Sequence, residues 1–123
     1  MLRNNTEGQG NTATGITALF NNRTGDFNVA NGFAALGSNT TGSSNIALGS
    51  GAGQSLTTGN FNIDIGNNGV VGEGNTIRIG NDLQTNTYIA GISGNTISGD
   101  PVVVAADGHL GTADISYFTR STR

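Results

Sequence analysis

The sequence predicts an all-β fold, a parallel β-solenoid of the β-roll type, and three observations predict it. A repeat of 17 residues runs through the first half of the chain: Asn11, Asn28, Asn45 and Asn62 are spaced by it, as are Gly15, Gly32, Gly49 and Gly66. A fixed short period means one supersecondary unit stacked on copies of itself, because such a unit cannot bury its apolar face alone. The composition agrees. The chain has 123 residues with 34% hydrophobic, 6% aromatic, 21 Gly, one Pro and no Trp, and a net charge of only −3. Disorder needs a higher net charge than that, whereas in a solenoid backbone hydrogen bonds between coils replace much of an apolar core. Third, the positions one and three after each ladder Asn become steadily more apolar along the chain: Thr12 and Thr14, Val29 and Asn31, Ile46 and Leu48, Ile63 and Ile65. That alternation is the mark of a half-buried strand.

Taken in order, residues 1–10 are a polar lead-in. Three clean repeats fill 8–59 as GQGNTATGITALFNNRT, GDFNVANGFAALGSNTT and GSSNIALGSGAGQSLTT. Each reads as a short strand followed by a Gly/Asn turn. The stretches ITALF and GFAAL invite a helix, but each is short and ends in Asn or Gly, and no 3.6-residue stripe survives the turns. The fourth repeat, GNFNIDIGNNGVVGEGN, changes register over 60–80: Gly80 follows Gly66 by 14, so FNIDIG aligns with NTIRIG. Residues 1–86 are therefore read as the repeat domain and 87–123 as a C-terminal capping or oligomerisation segment. In the latter, VVVAA-DG-HLGTA reads as a β-hairpin with a type I′ turn at Asp107-Gly108.

The geometry follows from the spacing. About seven coils at the ~4.8 Å interstrand distance would stack to roughly 30–35 Å. Asn at one place per coil forms a side-chain ladder, and Gly at the corners takes positive φ. The interior of so small a coil holds only small side chains, which the columns Ala13–Ala30–Ala47 and Ala18–Ala35–Ala52 supply. A rod this thin is marginal alone. Association around a shared apolar axis relieves that, with a homotrimer as the natural solution and Val29–Ile46–Ile63–Ile77 as its apolar column.

The N-x-A-x-G strand with its small-residue turn resembles the head repeats of trimeric autotransporter adhesins over residues 8–80. That resemblance implies a left-handed parallel β-roll assembled as a trimer. The adhesin repeat is usually shorter than the 17 residues found here. Segment 87–113 is similar to the part of phage-type tail-fibre and tail-spike proteins that precedes their self-cleaving chaperone. Neither that chaperone nor an anchor barrel is visible in this chain.

Residues that carry chemistry are few. Aligning Gly66 with Gly80 sets Asp64 and Arg78 in one column, predicting an ion pair between coils or between protomers, of ~0–1 kcal/mol if exposed. The single His109, after Asp107-Gly108, reads as a solvated strand-start residue; a catalytic role would need a nucleophile and an orienting acid, and no G-x-S-x-G, H-E-x-x-H or P-loop occurs. Acidic residues stand singly at Asp26, Asp64, Glu73, Asp82, Asp100 and Asp107, which does not suit a cation cage. No metal or other cofactor is expected. Scattered Arg and absent Lys argue against nucleic acid, and no apolar run reaches the ~20 residues of a spanning helix. The column Thr24–Thr41–Thr58 lacks the continuous T-x-T face that ice binding needs. Asn4, Asn22 and Asn39 head N-x-S/T triplets, read as by-products of the repeat. Phe27 and Phe61, just before an Asn strand, read as packing residues rather than a glycan platform.

The expected function is a non-enzymatic, structural and adhesive module of an extracellular or cell-surface trimeric fibre, with a host-surface protein or glycan as partner. No signal peptide is visible. A tail-fibre shaft segment and a subunit that stacks end to end into filaments are the rival expectations.

Overall fold

The computed structural model of the chain describes residues 2–91 and 102–112. Among these residues there is no helix, and the regular structure consists of seven three-residue strands. Five of them, β1 (Thr12–Thr14), β2 (Val29–Asn31), β3 (Ile46–Leu48), β4 (Ile63–Ile65) and β5 (Ile77–Ile79), form one parallel sheet in sequence order. This is a β-solenoid, as the repeat predicts. The register is that of the repeat: Ala13 lies opposite Ala30, Ala30 opposite Ala47, Ala47 opposite Asp64 and Asp64 opposite Arg78. The described stack thus holds five strands rather than about seven coils, because no strand forms over 81–91.

Each strand is short because the chain turns at the residue after it. Gly15, Gly32 and Gly49 have φ of 118°, 145° and 117°, values that side chains rarely adopt. A Cβ at Gly15 or Gly32 would also fall on the carbonyl of the equivalent glycine one coil on. Further left-handed corners are occupied by ordinary residues. Phe27, Ser44, Phe61 and Asn75, the positions just before the next coil's Asn or Thr, have φ of 54–58°. Each is held by an inter-coil bond from its own N–H: Phe27 to Gln9 O, Ser44 to Asp26 O, Phe61 to Ser43 O, Asn75 to Asn60 O, at 2.8–3.1 Å. Left-handed residues outside glycine cost about 1–3 kcal/mol and persist where the surroundings over-determine them. Here the neighbouring coil does so.

The core is thin. Its buried members are Ala18, Ala30, Ala35, Ala47 and Ala52 with Leu19, Leu36 and Leu56, and Leu2 and Ala13 pack against them. Leu2, Leu19 and Leu36 extend the 17-residue period into the lead-in. That segment is the turn half of a further coil: Leu2 N–H donates to Ala18 O, and the N–H groups of Thr6, Glu7 and Gly8 share Arg23 O.

The strand alternation is real but its faces are the reverse of the usual assignment. The middle residue of each of β2, β3 and β4 is buried, and the large aliphatics on either side are turned outward, half-buried or exposed. The column Val29–Ile46–Ile63–Ile77 therefore lines the outside of the roll, and the interior takes the Ala and Asn columns. The reason is volume: the turn half of the coils already places Leu19, Leu36 and Leu56 in the interior, and the strand position that faces them has room only for a small side chain.

Contacts divide the chain into two units, one ending at Thr87 and the other beginning at Tyr88. In the second, β6 (Val102–Val104) and β7 (Leu110–Thr112) pair antiparallel, all exposed. Their connection differs from the expected type I′ turn. Only Gly108 has positive φ, at 87°; its N–H donates to Ala105 O, and Ala105 N–H to His109 O. This is a three-residue loop with a left-handed glycine bulge. Residues 92–101 and 113–123, which carry much of the tail-fibre-like segment and the terminal SYFTRSTR, lie outside the described residues.

Candidate interaction face

The interior columns prepare the face and are built first. Asn28, Asn45 and Asn62 are buried at 0–1% exposure. In each, the backbone N–H and the side-chain Nδ2 both donate to Oδ1 of the Asn one coil earlier, at 2.9–3.1 Å. The second Nδ2 proton of Asn28 goes to Gly42 O and that of Asn45 to Gly59 O. Both Nδ2 protons and both oxygen lone pairs are thus in use along the ladder, the condition under which a buried amide is stabilising. Asn11 opens it with a bond to Gly25 O, and Thr76 closes it, donating its N–H to Asn62 Oδ1.

A second ladder runs beside the first. Asn22 Nδ2 donates to Asn5 Oδ1 and Asn39 Nδ2 to Asn22 Oδ1, both at 2.8 Å, and both side chains are fully buried. The sequence carried this signal at the same 17-residue spacing, but the N-x-S/T reading of Asn22 and Asn39 concealed it. Leu56 takes the next place in the column, and Asn39 Oδ1 is left without a donor.

The outer face of the sheet is the candidate functional surface. It carries Val29, Ile46, Leu48, Ile65, Ile77 and Ile79, exposed by 37–72%, with Ile63 half-buried among them. No charged side chain points from these two columns: their other members are Thr12, Thr14 and Asn31. Phe27 and Phe61 flank the face on the side where the chain enters the strands and Phe33 on the side where it leaves, all 58–65% exposed. Parallel sheets are ordinarily covered on both faces, and contiguous apolar patches of this kind mark association sites. The sheet has its large aliphatics outside and alanine inside, with Leu19, Leu36 and Leu56 the only large aliphatics fully buried among the described residues, so an isolated copy leaves most of its hydrophobic material in water.

The C-terminal end of the roll is closed by charge. Asp64 and Arg78 are register partners as expected, but the guanidinium binds Glu73 instead. Arg78 Nε and its terminal nitrogen donate to the Glu73 carboxylate at 2.8–3.1 Å. Glu73 Oε1 also accepts from Val70 N–H. The pairing raises the Arg78 pKa further. Glu73 is reached because the shortened coil brings it five residues before Arg78. The Asp64 carboxyl lies inside the roll at 1% exposure, and neither oxygen has a hydrogen-bond partner. Burial, and secondarily the Glu73 charge, push its pKa up from 3.8 to about 6 against the opposing pull of Arg78.

His109 is exposed, with Nδ1 2.8 Å from Asp107 Oδ2; this contact holds the Asp107 carboxyl below the usual range. Among the described residues no three His, Cys, Asp or Glu side chains gather to hold a metal. Arg3 lies 5.9 Å from the centre of the Phe20 ring, beside a shallow hollow lined by Ile16 and Thr17. With the geometry in hand, comparison with protein families, characterised proteins and solved structures yields no match.

Proposed function

We propose that this chain is a structural and adhesive module of an extracellular fibre, assembled as a homotrimer whose sheet faces meet around one axis. The observation that carries this reading is the uncharged aliphatic face over an alanine and asparagine interior. Each large aliphatic that passes from water into an interface contributes roughly 1.5–3 kcal/mol, and several per chain outweigh the cost of association. Three rolls close such a face completely, and a left-handed winding belongs to the same reading. Three copies on one rod would also bind a host-surface protein or glycan by avidity.

Stacking end to end into filaments is the weaker alternative. It would place the Arg78–Glu73 pair of β5 against the column that begins at Ala13 in β1, a charge against an alanine.

Light scattering tests the proposal. The expected mass is three times the 12.4 kDa chain, falling to one chain in Leu48→Asp. A monomeric wild-type protein, or Leu48→Asp with unchanged mass, would overturn it.

A further inference from the structure

Three charged side chains that depart from the repeat stand together where the coil shortens: Asp64, which is buried, and Glu73 and Arg78, which are partly exposed. In the column Ala13–Ala30–Ala47 the next members are Asp64 and Arg78. Glu73 closes the end over them through its bond to Arg78. Asp64 Oδ2 lies 3.0–3.4 Å from where Cβ atoms on Gly69 and Gly53 would sit, and both of those places also border leucine, Leu56 or Leu36. The absent side chains at Gly53 and Gly69 leave the carboxyl room without giving it a donor. Gly53 N–H is committed to Asn67 O and Gly69 N–H to Asn67 Oδ1. A carboxyl so placed is tolerated when neutral and costly when ionised.

We propose that Asp64, beneath the Glu73–Arg78 pair, is a proton-responsive latch that holds the last coils of the roll closed when it is protonated and loosens them when it ionises. The charged groups that face it are Glu73, from the segment leading out of β4, and Arg78 of β5. β3 brings Ala47 and the turn before β4 brings Gly53 and Leu56, none of which titrates.

The direction follows from linkage. The carboxyl holds its proton in the folded roll up to about pH 6, whereas the unfolded reference is 3.8. Between those values the opened coil binds fewer protons than the closed one, so closure weakens as pH rises and levels off above the folded value. A shift of about two units corresponds to about a hundredfold change in the opening equilibrium, since one unit is tenfold.

Amide hydrogen exchange on the full chain tests this, corrected for the intrinsic pH dependence of exchange. Ile63 N–H, bonded to Thr76 O, and Gly80 N–H, bonded to Ile65 O, report the last coils. Thr12 N–H and Val29 N–H report the first. From pH 5 to pH 8 protection at Ile63 and Gly80 is expected to fall by about tenfold, the part of the change that lies above pH 5, with the first coils unchanged. In Asp64→Ala, which restores the alanine column, protection at the same amides should be high and flat. Equal pH dependence in Asp64→Ala, or none in the wild type, would overturn the latch. The carbon-13 carboxyl resonance of Asp64 in the wild-type protein gives an answer that needs no variant: a midpoint near 4 overturns the proposal, and one near 6 supports it.

Discussion

At the residue scale the asparagine ladders do what a larger core would otherwise do. Asn28 illustrates the accounting. Its Oδ1 accepts both the backbone N–H and one Nδ2 proton of Asn45. Asn28→Ala removes that acceptor and strands two buried donors, while Gly42 O keeps the bond from Asn39 Nδ2. Stranding buried donors costs about 1–3 kcal/mol each, so urea unfolding of Asn28→Ala is expected to show a loss of about 2–6 kcal/mol. Asn4→Ala, at an exposed position, should stay within about 0.5 kcal/mol. Equal losses would mean that the ladder does not hold the coils. Spacing alone made the first ladder legible. It equally marked Asn5, Asn22 and Asn39, but a tripeptide pattern competes with a column when only one chain is in view. The Asp64–Arg78 register was legible too, whereas the capture of Arg78 by Glu73 depends on how the shortened coil folds back, which spacing does not encode.

At the element scale the third coil shows how a repeat absorbs a defect. Leu2, Leu19 and Leu36 share a column, and Gly53 comes next. The missing leucine reappears three residues later as Leu56, fully buried in the place of the second asparagine ladder. Volume is kept and one hydrogen bond is lost, at Asn39 Oδ1. The regular coil can be rebuilt. Gly53 has φ of 60°, close to the 49° and 50° at which Leu19 and Leu36 already sit, so leucine is acceptable there despite its left-handed backbone. Leu56→Asn alone should cost about 2–4 kcal/mol, as large-to-small core changes do. Gly53→Leu alone overpacks the site against Leu36 and costs about 1–3 kcal/mol. The double variant supplies both the leucine and the donor that Asn39 lacks. A double-mutant cycle in urea is expected to show favourable coupling of at least ~1 kcal/mol; additive losses would show that coil three is not a permuted version of its neighbours.

At the scale of the repeat unit as a whole, the apolarity of the outer face is graded. It runs from Thr12 and Thr14 in β1, through Val29 and Asn31, to Ile46 and Leu48, and ends in isoleucine at all four positions of β4 and β5. The gradient was readable directly from the chain, as was the sheet that carries it. The side on which it lies was not, because alternation fixes two faces without saying which is inward. The volume left beside the buried leucines of the turns decides that, and alanine takes the inward strand positions. If the outer face is where copies meet, the gradient sets where the contact is strongest. Ile63→Thr with Ile65→Thr should lower the association constant steeply, since each replaced isoleucine withdraws on the order of 1–2 kcal/mol of burial per chain. Thr12→Val with Thr14→Val should raise it. Salt separates this contact from one made by charge: with no ionised group in either column, sedimentation in about 1 M sodium chloride should show undiminished association, whereas contacts between charges weaken as the Debye length falls to ~3 Å. Loss of the oligomer in salt, or equal sensitivity at the threonine and isoleucine ends, would place the contact somewhere other than the sheet face.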